Sequence, residues 1–125
     1  MANISVSSIQ IVEDDHSAAT ILKLLLQGHG YEIVGTAVNG QIAVEQYISF
    51  PNKPDIVLMD YRMPIKNGIE ASIEILKICN QTKIIFTTAD ETIKEKALKI
   101  GAFDFVAKPF DFDELLSTIN AAIKK

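Results

Sequence analysis

Short runs of apolar residues alternate along the chain with longer stretches whose apolar positions recur at helical spacing, the pattern of βαβ units around a parallel sheet. The run Ile9 to Val12 predicts a first strand, and Ala18, Ile21, Leu22 and Leu25 at i, i+3, i+4 and i+7 predict the inward face of the helix after it. Gly28 and Gly30 mark that helix's end. Tyr31 to Val38 is predicted as the second strand, and Asn39 as the cap of a helix with Ala43, Val44, Tyr47 and Ile48 inward. Pro51 to Pro54 interrupts the chain there.

Ile56 to Met59 is continuously apolar, as in a strand buried on both faces. In the next segment Ile69, Ala71, Ile73 and Ile75 alternate like a strand, while its length and its Glu, Lys, Ala and Leu content favour a helix. The alternation of its neighbours decides for helix. Ile84 to Thr87 predicts a fourth strand, Asp90 a cap for a helix with Ile93, Ala97 and Ile100 on one side, and Phe105 to Ala107 a fifth strand. Asp111, with Glu114 three residues on, predicts a capping box for a last helix carrying Phe112, Leu115, Leu116, Ile119, Ala122 and Ile123. The fold class is therefore α/β: a doubly wound (βα)5 flavodoxin-like fold with a five-stranded parallel sheet in the order 2-1-3-4-5.

Length and composition narrow the classes. With 125 residues, 48% of them hydrophobic and 22% charged, the chain is expected to form one domain, residues 1–125, with a full core. That leaves no room for a separate catalytic or DNA-binding domain. A formal net charge of −4 is opposite in sign to a nucleic-acid footprint. The single cysteine, Cys79, has no intrachain partner, and no Cys/His cluster offers a zinc site. No apolar run approaches the ~18 to 20 residues that span a bilayer, and the start, Met1 to Val12, lacks the basic and apolar regions of a signal peptide. Cytoplasmic location, no membrane and no direct nucleic-acid contact are the expectations.

In open α/β sheets the ligand site lies beyond the carboxyl ends of the strands. After the first strand come Glu13, Asp14 and Asp15; after the third, Asp60; after the fourth, Thr88; after the fifth, Lys108 and Pro109. The strands ending in Asp14 and Asp60 are neighbours in the predicted order, roughly 4.8 Å apart. Singly, each residue has a plain structural role: helix-entry acids, a turn-former, a strand-end hydroxyl and a surface lysine. Four of them at four successive strand ends on one edge point to a common pocket.

These residues resemble the receiver domain of two-component response regulators over nearly the whole chain. The resemblance is carried by IVEDD from Ile11 to Asp15, LMDYRMP from Leu58 to Pro64 with Gly68 after it, TTAD from Thr87 to Asp90, and KPF from Lys108 to Phe110. It implies a phosphoacceptor at Asp60 and a Mg²⁺ (or Mn²⁺) ion held by Asp14 and Asp60, with Glu13 acting mainly through water and the backbone carbonyl of Arg62 as a further ligand. It implies phosphoryl contacts from Thr88 and Lys108, and Thr88 with Phe105 as switch residues. The partners it implies are a sensor histidine kinase or histidine phosphotransfer protein and a downstream target.

Charge explains the residue types. Three clustered carboxylates repel one another and an incoming phosphoryl dianion, so a divalent cation is needed, and hard oxygen ligands suit Mg²⁺. With the ion and the Lys108 ammonium the resting site is neutral; phosphorylation of Asp60 leaves it negative by about one charge. That excess is expected to draw in the Thr88 hydroxyl, let Phe105 turn inward, and alter the surface of the fourth helix, fifth strand and fifth helix from Glu91 to Lys125, where Lys94, Lys96 and Lys99 lie. Arg62 and Asp90, each two residues past a site residue, are expected to pair across the pocket mouth and shield the phosphoryl group. His16 and His29 belong on helix surfaces. A Mg²⁺-dependent phosphohydrolase with an Asp nucleophile is the rival, but such enzymes use a second Asp where Arg62 stands. A nucleotide-binding flavodoxin-like module would need a Ser, Thr and Gly-rich loop in place of Glu13, Asp14 and Asp15. Within signalling, a relay protein or an excised input domain fits as well as a direct switch.

Overall fold

The computed structural model describes residues 6–124. Met1–Ser5, part of the segment read for a signal peptide, and Lys125, the end of the expected output surface, lie outside the described residues. The elements alternate throughout: β1 Ser8–Val12, α1 His16–Gly28, β2 Glu32–Ala37, α2 Gly40–Ser49, β3 Ile56–Met59, α3 Gly68–Ile78, β4 Lys83–Thr88, a 3₁₀ turn Glu91–Ile93, α4 Lys94–Lys99, β5 Asp104–Ala107 and α5 Phe112–Lys124. All strand pairs are parallel, and the sheet runs β2-β1-β3-β4-β5, as predicted.

Each face of the sheet carries its own core. On one side Val57, Met59, Ile84 and Phe86 share a cluster with α2 and α3 residues such as Tyr47 and Ile75; on the other Ile9, Ile11, Leu58 and Ile85 join Leu22, Leu26, Leu115 and Ile119 of α1 and α5. The alternation of β3 and β4 residues between these clusters is the two-residue period of a strand buried on both faces. The edge strand β2 is only half-buried, and its register against β1 slips by one residue between Ile9 and Gln10.

The helix ends follow local chemistry. Asn67 accepts from the Glu70 N–H while Glu70 reaches back to the Asn67 N–H, a capping box that fixes α3 as a helix despite its strand-like alternation. At the end of α1, Gly30 (φ +89°) occupies the left-handed position of a Schellman motif, its N–H on the Gln27 carbonyl and that of Tyr31 on Leu26. The box expected at α5 is not the one observed. Asp111 accepts from Asp113, and the Glu114 N–H takes the Asp111 carbonyl.

Three inward faces differ from the periodic reading. α1 buries Ala19, Leu22 and Leu26, whereas Ile21 and Leu25 are 58% and 41% exposed. Those two line, with Ala18, a surface groove that continues to Pro109, Phe110 and Phe112, so the helix carries two apolar stripes and the strongest by sequence is not the one on the sheet. Ile48 stands one residue round from buried Tyr47 and is exposed, as is Ile123 next to buried Ala122. Both helices meet the sheet along stripes too narrow to take a further 100° of rotation.

Candidate functional site

Five strands end at one edge, and there the backbone ladder continues a residue beyond them. Glu13 donates its N–H to the Ala37 carbonyl (2.9 Å), Asp60 to Val12 (3.0 Å) and Lys108 to Thr88 (3.0 Å). These bonds pin the predicted site residues to the sheet instead of leaving them on free loops. Glu13 and Asp60 are buried, Asp14 is exposed, and one carboxylate oxygen from each lies within 4.8 Å of the other two. The Lys108 ammonium donates to Glu13 Oε1 and to Asp60 Oδ2, the latter at 3.4 Å. The other oxygens are also engaged: Glu13 Oε2 accepts from the Asp15 N–H (3.1 Å) and Asp60 Oδ1 from the Tyr61 N–H (2.7 Å).

The electrostatics reflect this crowding. Desolvation in the cleft, then hydrogen bonding and repulsion from Glu13, raise the Asp14 carboxyl above its ordinary 3.8. For Lys108, burial acts to lower the pKa but is outweighed by the hydrogen bond to Glu13 and the charges of Asp60 and Glu13, so its ammonium is held charged above 10.5. Three acids thus face one cation. The donor set is all hard oxygen, and among the described residues no backbone N–H occupies the Arg62 carbonyl, so the residues present fit a small divalent ion.

Thr88 is buried with its hydroxyl accepting from the Asp90 N–H (3.2 Å), which leaves the hydroxyl proton free to be donated elsewhere. Asp60, Arg62, Thr88, Asp90 and Lys108 line one depression. The expected pair across its mouth is formed: the Arg62 guanidinium donates to Asp90 Oδ2 at 2.9 Å. Asp90 Oδ1 accepts from the Thr92 N–H and hydroxyl, and the Thr92 hydroxyl leads the contacts that lower the Asp90 pKa below 3.8, with Arg62 adding to them. Phe105 is not at the pocket. Its ring is packed inward, 8% exposed, in the core cluster that also holds Phe86, Ile93 and Ala97. His16 and His29 are exposed, as the sequence indicated.

Two residues do more in the site than the sequence alone assigns them, where Asp15 reads only as a helix-entry acid and Gly68 only as part of the family motif. Asp15 does double duty, its side chain capping α1 at Ala18 while its N–H orients Glu13. Gly68 passes so close to the site strand that a Cβ there would sit 2.0 Å from the Asp60 carbonyl oxygen. The signal for the second was present: a glycine opening a helix after an Asx cap is where backbone can approach backbone. The loop between Asp60 and Gly68 also holds Ile65 at φ +71°, with the Lys66 N–H bonded to the Pro64 carbonyl.

Comparison with known proteins agrees with this geometry. Residues 9–120 match the response regulator receiver domain family. Chemotaxis protein CheY of Thermotoga maritima is 41% identical over 118 residues, covering 93% of this chain and 97% of that one. CheY of Bacillus subtilis is 38% identical, with 92% and 96% covered. Among solved structures, the CheX–CheY–BeF3–Mg²⁺ complex of Borrelia burgdorferi aligns with a TM-score of 0.89 at 27% identity, covering 95% of this chain and 90% of that one. Response regulator TrrA of Thermotoga maritima, in complex with Mg²⁺–BeF, aligns at 0.84 and 34% identity, with 94% and 99% covered. Sheet order, strand-end chemistry and these likenesses place the chain in the response regulator receiver family of two-component signalling, in its CheY-like branch.

Proposed function

We propose that residues 1–125 act as one receiver domain that is phosphorylated on Asp60 and passes that event to a partner protein. The carrying observation is the convergence of the Glu13, Asp14 and Asp60 carboxylates on one point, with the Lys108 ammonium against two of them and the Thr88 hydroxyl in the adjoining depression. Asp14 and Asp60, the carbonyl of Arg62 and, through water, Glu13 would hold Mg²⁺. The bound ion would supply charge neutralisation at the transferring phosphoryl group.

An Asp60 carboxylate oxygen attacks phosphorus of a phosphohistidine on a sensor kinase or phosphotransfer protein, or of a small acyl phosphate. The P–O bond to Asp60 forms as the P–N or P–O bond to the donor breaks, and the leaving imidazole or carboxylate departs with the bonding pair. Lys108 then has a phosphoryl oxygen to bind in place of Asp60 Oδ2, and Thr88 can donate its free hydroxyl proton. Phe105 already packs inward in this structure, so drawing that hydroxyl toward the phosphoryl group would hold the ring in the orientation it has. The change reaches the surface of α4, β5 and α5, where Lys94, Lys96 and Lys99 are exposed to a target. The chain is a self-modifying switch and does not turn over an external substrate in the manner of an enzyme.

Incubation with acetyl phosphate, with and without Mg²⁺, followed by intact mass tests this. One added phosphoryl group is expected, dependent on the metal, labile to hydroxylamine and absent from Asp60→Ala. Phosphorylation without metal, or its persistence in the alanine variant, refutes the assignment.

A further inference from the structure

The stretch from Thr88 to Ile93 joins the site strand β4 to α4, and two contacts moor it to the site. The Arg62 guanidinium holds Asp90 Oδ2 at 2.9 Å, and the Asp90 N–H holds the Thr88 hydroxyl at 3.2 Å. Both would be drawn on by a phosphoryl group at Asp60, since Thr88 and Arg62 line the same depression as that carboxylate. We propose that Arg62 is a second cationic arm for the phosphoryl group, held in reserve by Asp90, and that its transfer from Asp90 to the phosphoryl oxygens unmoors the segment leading into α4. This rests on the reading of Asp60 as the phosphoacceptor.

Charge and geometry favour the transfer. Lys108 stays shared with Glu13 even when it turns from Asp60 to a phosphoryl oxygen, so Arg62 is the second cation of this depression available to the extra negative charge. The Arg62 side chain is 79% exposed and free to swing, while its partner Asp90 is 10% exposed and fixed by Thr92. Arg62 meets Asp90 through one nitrogen only, whereas a phosphoryl dianion offers several oxygens and about twice the charge to the guanidinium fork. Asp14 is the other anion on this rim and would compete for Arg62, except when its charge is committed to a metal.

The released segment can respond. Between Asp90 and α4 there is only a single 3₁₀ turn, Glu91–Ile93, and α4 itself lacks a side-chain cap, Ile93 standing at that position. Loss of both moorings leaves Asp90 attached through Thr92 alone, so the turn can rewind without breaking a long helix. Ile93, buried in the core cluster that holds Phe105, carries that movement inward.

Beryllofluoride with Mg²⁺, an unreactive phosphoryl mimic, tests this on four proteins: wild type, Arg62→Met, Asp90→Asn and the double variant. Met keeps the length of the arm without its charge, and Asn keeps the capping oxygen. Arg62→Met is expected to weaken binding about two- to fivefold, the range for one exposed charge contact, and Asp90→Asn to tighten it by a similar factor because the arm is no longer held back. In the Arg62→Met background the gain from Asp90→Asn should vanish. Equal tightening in both backgrounds, or wild-type affinity in Arg62→Met, overturns the proposal. Amide resonances of Asp90 to Lys94 should shift on binding in wild type and shift much less in Arg62→Met; identical shifts in the two proteins also overturn it. If wild-type protein takes up no beryllofluoride, or Asp60→Asn takes it up equally well, the phosphoacceptor reading itself fails, a result distinct from loss of the coupling alone.

Discussion

Gly68→Ala should disable the site without replacing any of its chemistry-bearing residues. By helix propensity the change is favourable, since Ala exceeds Gly by about 1 kcal/mol in a helix. The structure reverses the sign. An added Cβ would lie 2.0 Å from the Asp60 carbonyl oxygen and 3.0 Å from the Met59 side chain. The near atom belongs to backbone that is itself tied down, Asp60 N–H to Val12 and Gly68 N–H to Tyr61, so relief requires moving the strand end at Asp60 by more than an ångström. Overpacking of this kind costs about 1 to 3 kcal/mol, and a backbone target places it at the upper end. After the propensity gain the net loss is about 2 kcal/mol, or a fall in Tm of about 8 °C for a domain of this size.

The displacement matters more than the destabilisation. A shift of that size at a reacting group costs roughly a hundredfold in rate. The chain has no tryptophan, so phosphorylation is best followed by intact mass with acetyl phosphate and Mg²⁺, beside urea unfolding of the same protein. Gly28→Ala is the control, because that glycine ends α1 with nothing within 4 Å of the added carbon. It should gain about 0.5 to 1 kcal/mol and phosphorylate at the wild-type rate. Gly68→Ala protein as stable as wild type and within twofold of its rate would refute the steric reasoning. Reduced stability with an unchanged rate would show that the close approach serves packing and does not position Asp60.

Three further outcomes are expected. Mg²⁺ at a hundred times its Kd should stabilise the protein by about 2.7 kcal/mol in thermal melts. The shift should shrink as pH falls through the raised pKa of Asp14 and be lost in Asp14→Asn, whose metal-free form should melt above wild type at pH 7. The sign follows from linkage: a carboxyl raised above 3.8 in the fold makes stability fall as pH rises between 3.8 and its folded pKa, so its charge is a cost at neutrality. Ile65→Gly should gain about 0.5 to 1 kcal/mol in urea unfolding: φ +71° is costly for a β-branched side chain, and an 80% exposed residue has little burial to lose. The Asp90 carboxyl should titrate below 3.8 by NMR, stabilising the fold above that pH and losing the contribution as pH falls through its midpoint; Thr92→Val should raise that midpoint more than Arg62→Ala.

Much of the site was legible because strand ends and sheet topology act together. The end of a continuous apolar run marks where a strand buried on both faces stops, and a doubly wound parallel sheet puts those stops on one edge, so Asp14, Asp60, Thr88 and Lys108 could be assembled from the sequence. The pairing of Arg62 with Asp90 followed from the same edge. What failed was helix phase. Ile21 and Leu25 outweigh Ala19 in hydrophobicity, yet Ala19 is buried with Leu22 and Leu26 in the sheet-facing core while Ile21 and Leu25 line the groove beside Phe112. Gln10 sits fully buried in a strand read as apolar, donating to the Ala43 carbonyl and to Gln46, next to the register slip in β2. A buried amide partnered from another element cannot be inferred from its own strand. The capping box of Asn67 and Glu70 was written in the chain and outranks alternation as evidence, since it satisfies N–H groups that only a helix leaves open.

The same edge that makes the site predictable makes it electrostatically unfinished. Two buried acids and an exposed third share one ammonium, and the pKa of Asp14 moves in the direction that records the strain. Core packing on both faces must supply the stability that this corner withholds, and the uninterrupted apolar runs of β3 and β4 between two clusters are suited to do so. A metal ion would remove part of the deficit and a phosphoryl group would restore it with the opposite balance of partners, so each binding event shifts which of the contacts around Asp60, Thr88 and Asp90 is favoured. A site relaxed in its resting form, such as Asp14→Asn produces, would gain stability and lose the imbalance through which, on the proposed function, a change of one charge at Asp60 would reach α4.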